Sequence, residues 1–600
     1  MSEKDQQKAA AVETAATGDR GGLSQAELDE LVASSDTGGR AVAGPMGTLL
    51  LLVALAWSLF QLYIASPFGL FNDTLARSIH LGFAVFLGIM VFPATRTSFQ
   101  VALGVIVPIV LAALFMASTK DSTAVWWIPI PALFVIATVL LGSPKNRIPI
   151  WEWALAIVGT FCALYLFIFY REIANRVGAP ILPDYIAGVT GLLILLEATR
   201  RALGPALMIV ASLFLFYTVL GPYMPSIIAH KGNSLSEIVN HQWITTEGVF
   251  GIALGVSTSF VFLFVLFGSL LDRAGAGNYF IQVAFSLMGH MRGGPAKAAV
   301  VASAMTGLIS GSSIANVVTT GTFTIPLMKK VGFNSEKAGA VEVASSVNGQ
   351  IMPPVMGAAA FLMVEYVGIP YFDVVKHAFL PAVISYIALV YIVHLEAMKA
   401  GMQGLPRAYT PKPLVQQLIG IAFAIIAICA LSFAVYYLMG WIRPAFPETA
   451  GYIIFVFLTA VYVGLLYVAS KEEPLKLDDP NAEVTSLPMP GPTARSGLHF
   501  ILPVVVLVWA LMVDRLSPGL SAFWAAAYMI FILLTQRPLM AMFRGESQFV
   551  NDIKEGVFDL IDGLVTGARN MIGIGIATAT AGIIVGAVSQ TGVGSALADV

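Results

Sequence analysis

Two apolar stretches near the middle of the chain each carry small polar residues at their centre. The first stretch, 295–327, is interrupted at 310–316 by Ser-Gly-Ser-Ser-Ile-Ala-Asn. The second, 338–369, is interrupted at 348–354 by Asn-Gly-Gln-Ile-Met-Pro-Pro. Backbone without helical hydrogen bonds is tolerated at membrane depth only where protein or a wet cavity satisfies it. Paired interruptions of this kind indicate the binding site of a membrane carrier.

The first interruption offers ligands for both a cation and an anion. Residues four apart share a helix face, so Ser312, Asn316 and Thr320 are expected along the arm that leaves the interruption. Their hydroxyl and amide oxygens are hard ligands of the type that Na⁺ prefers. A helix that begins near Ser313 would also present amide donors and a positive dipole to a carboxylate. The alternative is that these small polar residues only let helices pack closely.

The second interruption would supply oxygens from a facing helix joint. Asn348 and Gly349 offer side-chain and backbone oxygens, and Ser346 lies nearby with a hydroxyl. Pro353-Pro354 removes two amide donors and disfavours helix just before it, which places the joint there. A proline kink with incidental polarity is the alternative interpretation.

The second stretch also contains two carboxylates, Glu342 and Glu365. Intramembrane acids are functional hypotheses by default, and here they would be proton carriers or ion ligands. Both lie near the ends of the stretch, so placement at the membrane interface is the alternative.

The composition excludes a water-soluble protein. The chain is 57% hydrophobic and 11% charged, with a mean hydropathy of +0.82, whereas soluble domains carry roughly 25% charged residues. The formal net charge of -2 indicates neither nucleic acid nor an acidic partner. We expect no enzymatic activity, because the sequence has no phosphate-binding loop, no metal-spaced His/Cys cluster and no convincing nucleophile and base within the apolar stretches.

The chain divides into three regions on hydropathy. About fifteen stretches approach the ~20 apolar residues that cross a bilayer, so the predicted fold class is an all-α integral membrane protein. The predicted regions are a disordered cytoplasmic tail, 1–42, a first membrane domain, 43–202, and a second, 203–600. Within the second, we predict a first repeat at about 203–395, linking spans at about 414–536 and the start of a second repeat at about 549–600.

Basic loops predict the orientation, because short cytoplasmic loops retain Lys and Arg. Arg96, Arg200 and Arg201 follow the second and sixth spans, which places those loops and the N-terminus in the cytoplasm. Keeping the basic residues at both ends of 295–327 inside requires a re-entrant hairpin, whose arms of about 13–15 residues are too short to cross ~30 Å of hydrocarbon. The stretch 338–369 must then cross, as two half-helices.

A short internal similarity predicts an inverted repeat. The segment 270–277 resembles 587–594, and each closes a Gly-rich apolar span of opposite predicted direction. A second hairpin is then expected about 30 residues further on, and none occurs before Val600. We therefore expect a truncated chain that carries half of the site.

The runs 307–313, Gly-Leu-Ile-Ser-Gly-Ser-Ser, and 349–354, Gly-Gln-Ile-Met-Pro-Pro, resemble the large membrane subunit of tripartite ATP-independent periplasmic (TRAP) transporters. The resemblance covers roughly 203–600, and the spans before it resemble the small membrane subunit fused in front. Such fused permeases resemble those that work with the TAXI class of binding protein.

The resemblance implies an elevator-type secondary transporter of the inner (plasma) membrane. It implies uptake of an organic acid coupled to a cation, commonly Na⁺ with H⁺ as the alternative, and delivery of the substrate by a periplasmic binding protein. The substrate contacts are assigned to Ser312, Ser313, Asn316, Pro353 and Pro354, and the cation contacts to Ser310, Gly311, Asn316, Ser346, Asn348 and Gly349. Two rival hypotheses stay open: a stand-alone ion or anion antiporter of the same broad superfamily, and a channel or scaffold subunit.

Overall fold

The structure is a computed structural model that describes residues 39–40, 42, 44–94, 97–119, 123–144, 147–176, 178–311, 313–406, 413–473, 487–546 and 549–598. Nearly all of the predicted tail, 1–42, lies outside these residues. The α-helices, numbered in chain order, are α1 Pro45–Ala65, α2 Asp73–Val91, α3 Ser98–Ala117, α4 Ala124–Trp127, α5 Pro129–Leu141, α6 Ile150–Ile168, α7 Tyr170–Ala174, α8 Leu182–Ala202, α9 Pro205–Leu220, α10 Leu235–Val239, α11 Ile252–Val256, α12 Phe262–Arg273, α13 Ala276–Met288, α14 Gly294–Ser310, α15 Ser313–Lys330, α16 Ser335–Asn348, α17 Ala358–Val367, α18 Tyr371–Lys399, α19 Leu414–Ala445, α20 Ala450–Ser470, α21 Pro490–Arg495, α22 Ile501–Met512, α23 Pro518–Arg544, α24 Phe549–Thr591 and α25 Val593–Ala598.

Helices account for the regular structure throughout the described residues, which contain no β-strand. Among them, 11 helical segments are long and apolar enough to cross a membrane. Two short π-helices, Asn240–Ile244 and Ser257–Val261, interrupt the α-helical course on either side of α11. The predicted fold class, an all-α integral membrane protein, is confirmed.

The two predicted membrane domains share one hydrophobic core. The long helix α24 packs on α1, α2, α8 and α9 as well as on α12. Polar contacts cross the same boundary: Ser58 Oγ donates to Leu564 O at 2.7 Å, and the Thr199 and Thr580 hydroxyls lie 2.6 Å apart. The first domain is therefore packed against the second along most of a membrane-length helix.

A buried ion cluster joins Arg40, near the end of the predicted tail, to the middle and the end of the first domain. Glu152 pairs with Arg40, and its Oε1 lies 2.9 Å from Arg201 Nη1. Glu197 lies 2.7 Å from both Arg200 and Arg201. Arg200 and Arg201 are thus buried in the last turn of α8 and not in the loop that follows it, and the orientation of this end of α8 stays a prediction. Their charge is balanced by carboxylates inside the protein.

Replacing Glu152 by alanine is expected to destabilise the protein by about 3–5 kcal/mol, because it leaves the buried guanidinium group of Arg40 without its carboxylate and that of Arg201 with Glu197 alone. The measurement is the thermal unfolding midpoint of the purified protein in detergent. Arg495→Ala is the matched control, since its ion pair with Glu472 is exposed on the arginine side and should contribute at most about 1 kcal/mol. Equal shifts of the two midpoints would contradict the prediction.

Helices α12 and α24, which contain the two similar segments, pack directly and run antiparallel. A Cβ at Gly563 would contact Leu270, and a Cβ at Gly567 would contact Leu266. At the end of this contact Arg273 Nε lies 3.0 Å from Asp562. An inverted repeat requires opposite directions of this kind, although the repeat itself stays a prediction.

Candidate functional site

Helices α14 and α15 form the predicted hairpin, and Gly311 makes its turn. Gly311 has φ +58°, in the left-handed region where residues with a Cβ are disfavoured. A Cβ at this position would also collide with the Met356 carbonyl oxygen. The hairpin tip therefore rests on the backbone of the second interruption. Ser312 and the side chain of Ser310 lie outside the part of the chain that the structure describes.

The arms of the hairpin are held together by Asn316. Its side chain is 1% exposed, and its Nδ2 donates to Ser303 O on the opposite arm at 3.0 Å. This bond fixes the amide orientation, because only the nitrogen can donate to a carbonyl. The Oδ1 atom is then buried without a hydrogen-bond partner among the described residues. Asn316 and Thr320 are both buried on one face of α15, as their spacing predicts.

The second stretch breaks where the sequence predicts. Helix α16 ends at Asn348, a 3₁₀ turn covers Gly349–Ile351, and the next α-helix begins at Ala358. The Tyr371 hydroxyl lies 2.6 Å from Pro354 O and 2.9 Å from Val355 O, and so holds the unwound segment from α18. Pro353 and Pro354 are both buried, which puts these predicted substrate contacts below the surface in this conformation.

The hairpin and the joint meet backbone to backbone at Gly307 and Gly349. A Cβ on Gly307 would lie 2.6 Å from Gly349 Cα, and a Cβ on Gly349 would lie 3.1 Å from Gly307 Cα and 3.4 Å from Asn316 Nδ2. Beside this contact, Gln350 Nε2 donates to Ser313 Oγ at 3.0 Å. The two interruptions therefore form one site, to which Ser313 and Asn316 contribute from the hairpin and Gly349 and Gln350 from the joint.

Glu342 is the only carboxylate that the described residues place against both arms of the hairpin. It is fully buried in α16, and its carboxylate contacts hydroxyl groups from three helices. Ser303 Oγ donates to its Oε1 at 3.2 Å and Ser346 Oγ at 3.4 Å, while Thr320 and Thr324 contact Oε1 and Oε2. Glu342 therefore lies inside the protein, whereas Glu365 is exposed, and the depth of both in the membrane stays a prediction.

The predicted site residues thus divide into two groups. Asn316, Ser313, Gly311 and Gly349 meet at the tip of the hairpin. Ser346 faces Glu342 instead, and Asn348 is half-buried at the end of α16. The sequence analysis did not identify Ser303 and Thr324 as partners of Glu342. Thr324 continues the four-residue spacing of Asn316 and Thr320, which is the one signal in the sequence for its position.

A family model described as "Tripartite ATP-independent periplasmic transporter, DctM component" matches residues 190–600. The C4-dicarboxylate TRAP transporter large permease protein DctM of Rhodobacter capsulatus is 35% identical over 91 residues, 15% of this chain and 21% of its own length. The sialic acid TRAP transporter large permease protein SiaM of Vibrio cholerae is 28% identical over 145 residues, 24% of this chain and 34% of its own length.

The ectoine TRAP transporter large permease protein TeaC of Halomonas elongata is 30% identical over 95 residues, 16% of this chain and 22% of its own length. The chain therefore spans about a third or less of the length of these curated relatives. The family model, in contrast, covers about two thirds of the chain. With the many apolar helices, this indicates a multi-pass inner-membrane protein. The chain belongs to the DctM component family of the tripartite ATP-independent periplasmic transporters.

Proposed function

We propose that the chain performs secondary active, cation-coupled uptake of an organic acid across the inner membrane. A periplasmic binding protein delivers the substrate, in keeping with the family, and the N-terminus is cytoplasmic. The domain 43–202 acts as a fused small membrane subunit, as in permeases of the TAXI-associated type. Relatives named for C4-dicarboxylates and sialic acid support a carboxylate as the substrate.

The observation that carries this proposal is the contact between the hairpin tip and the broken helix. The two interruptions pack at Gly307 and Gly349 and enclose Asn316, whose Oδ1 has no hydrogen-bond partner among the described residues. An unpaired buried acceptor costs about 1–3 kcal/mol, so it calls for a donor or cation that binds there.

The proposed motion is an elevator movement of α14–α18 against the remaining helices, with α18 included because its Tyr371 and Tyr386 hydroxyls are hydrogen-bonded to the joint and to α16. The sliding surface is aromatic: the Phe361 ring of α17 lies 5.2 Å from that of Phe260 and 4.8 Å from that of Phe264, measured between centroids. Non-directional apolar contacts of this kind favour sliding, because no fixed hydrogen bond has to break at each step.

The site has features that suit two alternative coupling ions, Na⁺ and a proton. The hairpin oxygens favour Na⁺, as the sequence predicts. The surroundings of Glu342 favour a proton. Thr320 Oγ1 lies 2.7 Å from Asn316 O, and Thr324 Oγ1 lies 2.9 Å from Thr320 O, while both hydroxyls also contact Glu342. Each hydroxyl has one proton. When Glu342 is charged, both threonine hydroxyls can donate their protons to the carboxylate. When Glu342 is protonated, one hydroxyl can accept from the carboxyl group and donate its own proton to the backbone. Glu342 is therefore hydrogen-bonded in both protonation states.

Uptake by proteoliposomes tests the function. The panel of labelled substrates contains a C4-dicarboxylate, sialic acid and ectoine, each with and without the periplasmic binding protein, under a Na⁺ gradient alone or a proton gradient alone. Uphill uptake that needs the binding protein supports the proposal. Uptake without it favours the stand-alone antiporter, and currents that are insensitive to every gradient favour a channel.

Replacing Glu342 by glutamine is expected to abolish proton-driven accumulation while substrate exchange between the two sides of the vesicle continues. The amide keeps the neutral shape of the side chain but cannot release a proton. The measurement is uphill uptake compared with counterflow of labelled substrate at equal concentrations. Glu365→Gln is the matched control, because Glu365 is exposed, and it should retain both activities. Normal proton-driven accumulation by Glu342→Gln would exclude this carboxyl as the carrier.

A further inference from the structure

A cavity of about 710 Å³ opens where α3 and α9 end side by side. Both helices are candidate membrane spans, and Ala117 and Leu220 at their last positions line the cavity together with Leu114 and Val219. Its inner wall is therefore apolar, and its mouth lies at the level where two spans stop. None of the predicted site residues lines this cavity.

The loop 221–234, which forms the mouth, is fixed on the end of α9. Asn233 N donates to Thr218 O at 2.9 Å, and the Tyr217 hydroxyl donates to Ile228 O at 2.7 Å. Leu235 N then donates to Ser118 O at 3.2 Å, which joins the loop to the end of α3. The loop at the mouth is thus held in place by hydrogen bonds to the ends of α9 and α3.

Among the described residues, Lys231 at this mouth is paired with the neighbouring Glu237. Lys231 Nζ lies 3.3 Å from Glu237 Oε1, and the two side chains are 78% and 46% exposed. The other Glu237 oxygen accepts from Ser234 N at 2.8 Å and from Ser234 Oγ at 3.1 Å. These bonds, with the backbone bond the largest cause, hold the pKa of Glu237 below its usual range, so the carboxylate stays charged. An exposed pair of this kind is weak, which leaves both groups able to bind a ligand.

We propose that this cavity binds a zwitterionic phospholipid. The phosphate lies on the Lys231 ammonium, the lipid amine lies on the Glu237 carboxylate, and an acyl chain lies against Leu114 and Val219. The positive Lys231 and the negative Glu237 match the phosphate and the amine of the headgroup in order and sign. The apolar wall of the cavity continues into the membrane span. Tyr223, which is 84% exposed at the same mouth, is the type of residue that concentrates at the headgroup level.

The proposal is tested on the full chain in nanodiscs made of equal parts phosphatidylethanolamine and phosphatidylglycerol, with native mass spectrometry of the protein after release. Wild-type protein is expected to retain phosphatidylethanolamine in preference to phosphatidylglycerol. Lys231→Ala should lower its occupancy about fivefold, the effect of one interfacial lysine. Val219→Trp, which fills the cavity, should lower it as well.

Two control variants separate this site from general lipid adhesion. Lys471→Ala removes another lysine near a helix end, which lies over the Tyr467 ring, and Leu213→Trp adds a tryptophan at an exposed position of α9. Both should retain lipid as the wild type does. Equal retention by Lys231→Ala and Lys471→Ala, or no preference between the two lipids, would overturn the proposal. The proposal would also be overturned if Lys231→Ala retained lipid as the wild type does but no longer responded to the binding protein. That result would indicate a protein partner at this mouth.

Discussion

Gly307→Ala is expected to lower substrate uptake by about 100-fold, the penalty that a ~1 Å misplacement of positioned groups incurs. The added Cβ would lie 2.6 Å from Gly349 Cα, and this neighbour is backbone that no rotamer change can move. The hairpin and the joint must therefore separate by about 1 Å to restore van der Waals contact. That separation opens the site where Asn316 and Gly349 meet.

The measurement is uptake by proteoliposomes that contain equal amounts of folded protein, with folding checked by gel filtration and by the thermal unfolding midpoint. Gly339→Ala in α16 is the matched control, because a Cβ at Gly339 meets no atom within 4 Å. The control should transport normally, and its better helix propensity should stabilise the protein by up to about 1 kcal/mol. Equal uptake by the two variants would show that close backbone contact at Gly307 is unnecessary.

The positions of both helix breaks could be predicted from the sequence, because the signals are local. Gly311 must adopt positive φ at a turn, and Pro353-Pro354 removes two donors within the second stretch. Each signal depends only on neighbours in the chain. The contact between Gly307 and Gly349 could not be predicted in the same way, since a glycine in an apolar helix carries no information about the element that it approaches.

The environment of Glu342 was missed for a related reason. Its partners Ser303 and Thr324 are 39 and 18 residues away in the chain, and each alone looks like a small polar residue that lets helices pack. Only the antiparallel hairpin brings them to one carboxylate. The acid itself was identified by type, but its depth was judged from its place in the stretch, which does not report packing against a neighbouring hairpin.

Charge counting along the chain did not predict the ion pairs at the end of α8. Arg200 and Arg201 count as cytoplasmic under the positive-inside rule, which reads loops and not ion pairs. The structure buries both against Glu197, three and four residues earlier, and Arg201 also against Glu152. Spacing of three and four on one helix is a local signal for pairing, so the first contact was available from the sequence, whereas the second was not.

Asn316→Ala is expected to lower uptake by roughly 10- to 100-fold. The substitution removes the one described acceptor at the hairpin tip that is buried without a partner. Loss of a hydrogen bond or ligand to a charged group costs about 1.5–3 kcal/mol, which corresponds to that range of affinity. Since the bond to Ser303 O is the one side-chain hydrogen bond of Asn316 among the described residues, the free energy of unfolding should fall by about 1 kcal/mol. The protein should therefore remain folded while transport is impaired.

The measurement is the dependence of uptake on cation and substrate concentration, with Asn233→Ala as the matched control. Asn233 is also a buried asparagine, and its Nδ2 has no hydrogen-bond partner among the described residues, but it lies in the loop that follows α9. Asn316→Ala should raise the concentration of cation or substrate needed for half-maximal uptake, whereas Asn233→Ala should leave both unchanged. Normal concentration dependence in Asn316→Ala would remove the hairpin tip from the binding site, even if the hairpin itself is required for folding.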